Sequence, residues 1–174
     1  VRLRVWNKTS SEICAMIKGG QVDLGVITLP APAEARSLQP YHSYRYAAVF
    51  AAQSARSLPP VVTLGALAAL NLLLLERGTR SRDLLESAFL RHRLAPRSVM
   101  ELGSVDVQKD LARIGVGVAV VPDFSVRGTG DDPRLVRREI QGLPLARLAL
   151  ASRRGPPSRI IEAFRDTLLE AKAS

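Results

Sequence analysis

The stretch Val105–Pro122, VDVQKDLARIGVGVAVVP, decides the fold class of this chain. Its first half places Val107, Leu111 and Ile114 at the spacing of one helix face, and Ser104 in front is a capping residue type. This predicts a helix with that face buried. Val116–Val121 is a continuous β-branched and small apolar run, which predicts a strand buried on both faces of a parallel sheet. Gly115 and Gly117 mark the turn between the two, and Pro122, without an N–H, stops the ladder. A helix turned directly into a fully buried strand is half of a wound α/β unit, whose sheet carries helices on both faces.

The same alternation extends in both directions. Val1–Trp6 alternates apolar and basic residues like a short strand, and Thr9 and Glu12 have capping-box spacing. Ile13, Met16 and Ile17 make a helix face, Gly19-Gly20 ends it, and 22–28 (VDLGVIT) returns as a buried strand, parallel to the first in a right-handed βαβ unit. Pro30, Pro32 and Pro40 predict a loop over Leu29–Tyr44, followed by a strand at Tyr46–Ala52. Leu64–Ala69 reads as a short helix and Leu72–Leu75 as a buried strand. Ser81–His92 reads as a helix with Leu84, Leu85, Ala88 and Phe89 on one side, and Ser98–Leu102 as the next strand. Beyond Pro122, Val126–Asp132 is a Gly- and Asp-rich turn, Leu135–Ile140 and Leu145–Ala151 are strands, and a helix from about Ser158 carries Ile161, Phe164 and Leu168.

Composition narrows the function. The chain has 174 residues, 47% of them hydrophobic, enough to fill a sizeable core. Its longest apolar run, near Leu70–Leu75, is far short of a bilayer span, so no membrane partner is expected. The N-terminal alternation does not resemble a signal peptide, and the single cysteine, Cys14, excludes a disulfide framework and favours a reducing, cytoplasmic setting. The net charge of +9 invites a nucleic-acid reading, but the arginines are scattered along the chain and aromatic content is 5%, which leaves no stacking platform. A solvated basic surface is the plainer account.

Catalytic and metal constellations are poor. His42 lies in a Pro-flanked loop and His92 at a helix end, Cys14 sits beside Ile13 on a helix, and there is no Cys or His pair for a metal. Gly115-Val116-Gly117 precedes a strand and not a helix, so it is no dinucleotide fingerprint. No cofactor is implied. What the pattern does offer is three strand-to-helix junctions, at Thr9-Ser10-Ser11, Thr79-Arg80-Ser81 and Ser104-Val105, where free helix N–H groups and hydroxyls suit a small anion. Arg80 adds a bidentate partner for a carboxylate. Each junction is equally open to a capping role alone.

Two segments carry a family resemblance. Ile17–Val26, IKGGQVDLGV, resembles the helix–Gly–Asp–Gly-Val segment of LysR-type transcriptional regulator effector domains, and Ile114–Pro122, IGVGVAVVP, resembles that family's late Gly-x-Gly-x-x-x-x-Pro strand. They occur in family order, and Leu72–Ser81 between them is similar to a strand and turn of the second lobe. The resemblance implies two Rossmann-like α/β lobes joined by two crossover strands near Tyr46–Ala51 and Ala146–Ser152, the type 2 periplasmic-binding-protein-like architecture. Lobe I is then residues 1–46 plus 148–174, lacking the initial strand and helix of the family domain, and lobe II is residues 47–147.

The resemblance further implies a small-molecule effector held between the lobes. By position its contacts are Thr9, Ser10, Thr28, Thr79 and Ser104, to which charge adds Arg80. It implies assembly as a homodimer or tetramer through side-by-side antiparallel pairing, placing Arg2, Arg4 and Trp6 against Arg82, Leu85 and Phe89 of a second copy. DNA contact belongs to a separate N-terminal helix-turn-helix domain that this sequence does not contain. The expected function is regulatory and not enzymatic: sensing of a small anionic metabolite that shifts the population of dimer arrangements. Three alternatives stay open: a periplasmic solute-binding protein of the same fold, an enzyme such as a prephenate dehydratase, whose Thr-Arg-Phe motif Thr79-Arg80-Ser81 partly matches, and a direct nucleic-acid binder.

Overall fold

A computed structural model describes residues 2–33, 35, 37–56, 58–126 and 132–171. The chain divides into two units, Val1–Ser43 with Arg147–Ser174, and Tyr44–Ala146.

In the first unit, helix α1 (Ser10–Lys18) leads into strand β1 (Leu24–Thr28). A three-stranded sheet has the order β1-β9-β2, with β2 at Ser37–Tyr44 and β9 at Ala146–Ser152. The predicted capping box forms: Thr9 Oγ1 accepts from Glu12 N at 3.3 Å, and Glu12 Oε2 accepts from Thr9 N at 2.8 Å. Cys14 and Ile17 of α1 pack with Ile27, Ala149 and Ala151. That contact needs Gly25, because a Cβ there would sit 2.3 Å from Ile13 Cγ2. Helix α5 (Arg159–Ala171) completes the unit.

The second unit is built on a six-stranded sheet of order β4-β8-β3-β7-β5-β6. Its strands are β3 (Tyr46–Ala51), β4 (Val61–Thr63), β5 (Asn71–Leu75), β6 (Arg97–Leu102), β7 (Val118–Pro122) and β8 (Leu135–Gln141). Its helices are α2 (Leu64–Ala68), α3 (Arg80–Arg91) and α4 (Val105–Arg113). Leu73 of β5 packs with Ala112 of α4, whereas its neighbour Leu74 lines a groove with Leu85 and Phe89 of α3. Because alternate strand residues point to opposite faces, helices cover both sides of this sheet. Val118–Val121 are all buried, as the opening stretch predicts, and burial of such side chains stabilises by about 1.5–3 kcal/mol each. Gly115 takes φ +81° in the turn before β7, a conformation that glycine adopts without strain.

Several expectations are corrected. Residues 2–6 form no strand; they are exposed, and among the described residues no strand pairs with them, so the parallel βαβ unit does not form. Strand β1 instead pairs antiparallel with β9 alone, and as an edge strand it is only partly buried, with Val26 40% exposed. The proline-rich stretch 37–44 is strand β2 and not a loop, because an edge strand tolerates a residue such as Pro40 without a donor. The sheet around β7 is mixed, parallel to β5 and antiparallel to β3. On α4 the buried face is Gln108 and Ala112, flanked by Val105 and Leu111, while Val107 and Ile114 are exposed. On α5, Ile160 and Phe164 are exposed, so its apolar face is open within this unit. Most of the predicted Val126–Asp132 turn, residues 127–131, lies outside the described residues.

Candidate functional site

The three predicted junctions all form helix N-termini, and hydrogen-bond direction distinguishes them. At Thr9 the hydroxyl accepts from Glu12 N and also donates to Glu12 Oε2 at 2.8 Å, so its proton is committed to the capping box. At Thr79 the hydroxyl accepts from Arg82 N and donates to the carbonyl of Glu76 at 2.9 Å, again committing the proton. Ser10 and Ser104 differ. Ser10 Oγ accepts from Thr28 N at 3.1 Å, tying the start of α1 to the end of β1, and Ser104 Oγ accepts from Asp106 N at 3.2 Å. Among the described residues neither hydroxyl donates, so both protons are available to an external acceptor. Each stands beside helix N–H groups that lack intrahelical acceptors.

Thr28 is half-buried at the end of β1, within hydrogen-bond reach of Ser10 through its own N–H. Arg80 is drawn along α3 to Asp83, with Nη1 at 3.3 Å from Oδ2, and stays partly exposed. Ser10 and Thr28 are thus brought together in the first unit, and Thr79 and Arg80 in the second, where Ser104 begins a different helix.

A further group at the α3 turn escaped sequence reasoning. Ser81 Oγ lies 2.6 Å from the hydroxyl of Tyr46, which lies 3.2 Å from the hydroxyl of Tyr44. Tyr46 is 3% exposed, and burial, reinforced by the neighbouring Tyr44, pushes its ionisation well above the usual tyrosine range, so the hydroxyl keeps its proton. The Tyr44 ring stacks at 5.3 Å on Tyr46 and meets the edge of Phe124 at 5.1 Å. Tyr46 and Ser81 are 35 residues apart, so no local sequence signal announces the pair.

The residues assigned to subunit contact also separate. Arg2, Arg4 and Trp6 are exposed. Arg82, Leu85 and Phe89 are 4%, 3% and 2% exposed, so α3 turns them into its own unit and they have little surface to offer a second copy. Arg82 donates from Nε to Glu86 at 2.7 Å, from Nη1 to the Leu75 carbonyl at 3.2 Å and from Nη2 to Glu101 at 3.3 Å. His42 and His92 are both exposed, and among the described residues no group of three His, Cys, Asp or Glu is arranged to hold a metal. Among the described residues, no helix is long and apolar enough to cross a membrane. A groove of about 370 Å³ in the first unit is lined by Arg2, Trp6, Val22, Ile160, Ile161 and Phe164, away from the junction hydroxyls.

The family model of the LysR substrate binding domain matches residues 1–173. Among solved structures, the CcmR regulatory domain of Synechocystis PCC6803, in complex with 2-PG, superposes with a TM-score of 0.83 at 22% identity, over 94% of this chain and 80% of that one. The effector binding domain of QuiR in complex with shikimate gives 0.82 at 15% identity, over 95% and 79%. The reduced OxyR regulatory domain from Pseudomonas aeruginosa gives 0.79 at 20% identity, over 96% and 79%. These likenesses show the type 2 periplasmic-binding-protein-like fold expected from the sequence. The match over almost the whole chain settles the family: this chain belongs to the LysR substrate binding domains, the effector-binding domains of LysR-type transcriptional regulators.

Proposed function

We propose that this chain senses a small anionic metabolite for a LysR-type regulator and passes binding on as a change in the arrangement of its subunits. DNA is contacted in this reading by a separate N-terminal domain, and the protein acts in the cytoplasm as a homodimer or tetramer without cofactor or catalysis. The observation that carries the reading is the pair of serine hydroxyls, Ser10 and Ser104, that accept from backbone N–H groups and keep their protons for a ligand. Shikimate, present in the QuiR complex, bears the kind of carboxylate such donors fit. Thr28 and Arg80 complete the contacts, and Thr9 and Thr79 act by holding the turns in shape.

The test is isothermal titration with a panel of small carboxylates and phosphate esters, shikimate included. For any compound that binds, Ser10→Ala and Ser104→Ala are each expected to weaken affinity about tenfold, the value of one charge-assisted hydrogen bond. Thr9→Ala and Thr79→Ala are expected to lower stability while changing affinity less than about twofold. Unchanged affinity in both serine variants refutes the proposal.

A further inference from the structure

Thr79, not Ser81, caps α3, which leaves the Ser81 hydroxyl without a capping duty. Its bond is to Tyr46, and the three hydroxyls of Tyr44, Tyr46 and Ser81 form a single chain within the second unit. Three hydroxyls carry three protons, and the two bonds within the chain use two of them. The third must sit at one end, on Tyr44 or on Ser81. Tyr44 is 8% exposed, with its ring packed between Tyr46 and Phe124, whereas Ser81 is only half-buried at the positive end of a 12-residue helix.

We propose that Tyr46 is a positioning residue that orients Ser81 as a hydrogen-bond donor, making Ser81 a specificity determinant for an oxyanion, a carboxylate or phosphate oxygen, at the start of α3. The inference rests on the effector-binding reading above and adds two residues to it. An oxygen there accepts from Ser81 Oγ and from the free N–H groups of the first turn. It also polarises the chain in the sense Tyr44 to Tyr46 to Ser81, which strengthens the terminal bond. A ligand group that is itself a donor must reverse all three hydroxyls against the helix dipole. The turn therefore discriminates acceptors from donors more sharply than a lone serine does.

The experiment titrates acetate and inorganic phosphate separately into the 15N-labelled chain and follows backbone amide signals at all three junctions. Binding is expected to shift the amides of Arg80 and Ser81, and Tyr46→Phe to weaken that response at least fivefold while responses at Ser10 and Ser104 stay within twofold. Ser81→Ala, which leaves the buried tyrosines in place, is expected to weaken it equally, and Ser81→Thr to restore most of it. An undiminished response in Tyr46→Phe overturns the positioning role; so does full retention in Ser81→Ala. Silence at Arg80 and Ser81 alongside a response at Ser10 or Ser104 overturns this inference and leaves the effector reading intact. Silence at all three junctions overturns both.

Discussion

Replacing Arg82 with Met separates a fold anchor from an interface contact. The Arg82 side chain is 5% exposed and supplies three donors, to Glu86, to Glu101 and to the carbonyl that ends β5. Met keeps much of the apolar stem and removes all three. Glu86 and Glu101 are 46% and 44% exposed, so both carboxylates regain water, and each lost pair costs only about 0.5 kcal/mol. The Leu75 carbonyl, less accessible, loses its donor at a cost of about 1 kcal/mol. The sum is about 2 kcal/mol, or a fall of about 1 M in the urea midpoint at a slope of about 2 kcal/mol/M. Urea titration by circular dichroism at pH 7 reads this directly, and Arg82→Lys is expected to recover up to about half, since a single ammonium cannot serve three acceptors at once. A loss below about 0.5 kcal/mol, combined with a shift in dimer dissociation measured by analytical ultracentrifugation, refutes the reasoning and returns Arg82 to the subunit interface.

Three further outcomes follow from the same geometry. Gly25→Ala places a Cβ against the β-branched Ile13 and is expected to cost about 1–3 kcal/mol; adding Ile13→Ala should relieve part of that, and simple additivity of the two losses in urea titrations contradicts the clash. Asp132 is held well below the usual carboxylate range, first by the side chain and backbone N–H of Arg134 and then by Arg113. With its folded value depressed, its contribution is complete above an unfolded value of about 3.9 and is withdrawn as pH falls below it. Asp132→Asn should therefore flatten the stability–pH profile below about pH 4 and leave its slope between about pH 6 and 8 unchanged. Thr9→Ala removes the capping box and is expected to lower the unfolding free energy by about 1 kcal/mol; no change in the denaturation midpoint argues that Glu12 alone holds the turn.

The elements were more legible in the sequence than their faces and partners. Helix α4, the glycine turn and β7 stand where VDVQKDLARIGVGVAVVP predicts them, since helix period and a β-branched run are local signals. The buried face of α4 was not legible. Strands β5 and β6 shift register between Leu72 and Leu73, and Gln108 Nε2 donates to the Leu73 carbonyl at 2.8 Å beside this irregularity. A buried carbonyl needs a donor, so a glutamine takes the inward position that apolar spacing had given to Val107. Strand pairing was equally hidden. Residues 1–6 have strand alternation and β2 has a proline, yet β2 pairs and residues 2–6 do not, because pairing depends on which edge is offered and not on propensity.

The same distinction bears on the candidate site. Serine and threonine at a helix start look alike in a sequence, and each of Thr9, Ser10, Thr79 and Ser104 reads equally as a cap or as a ligand contact. A hydroxyl has one proton, and its direction is fixed by partners that fold into place. Thr9 and Thr79 each find a local acceptor, in Glu12 and the Glu76 carbonyl, and are thereby closed as donors. Ser10 and Ser104 receive a backbone proton instead and remain open. Ser81, which no capping rule singles out, joins them through Tyr46. An anion site on this scaffold is accordingly defined by which hydroxyls have no acceptor of their own, a property of the folded chain that residue type leaves undetermined.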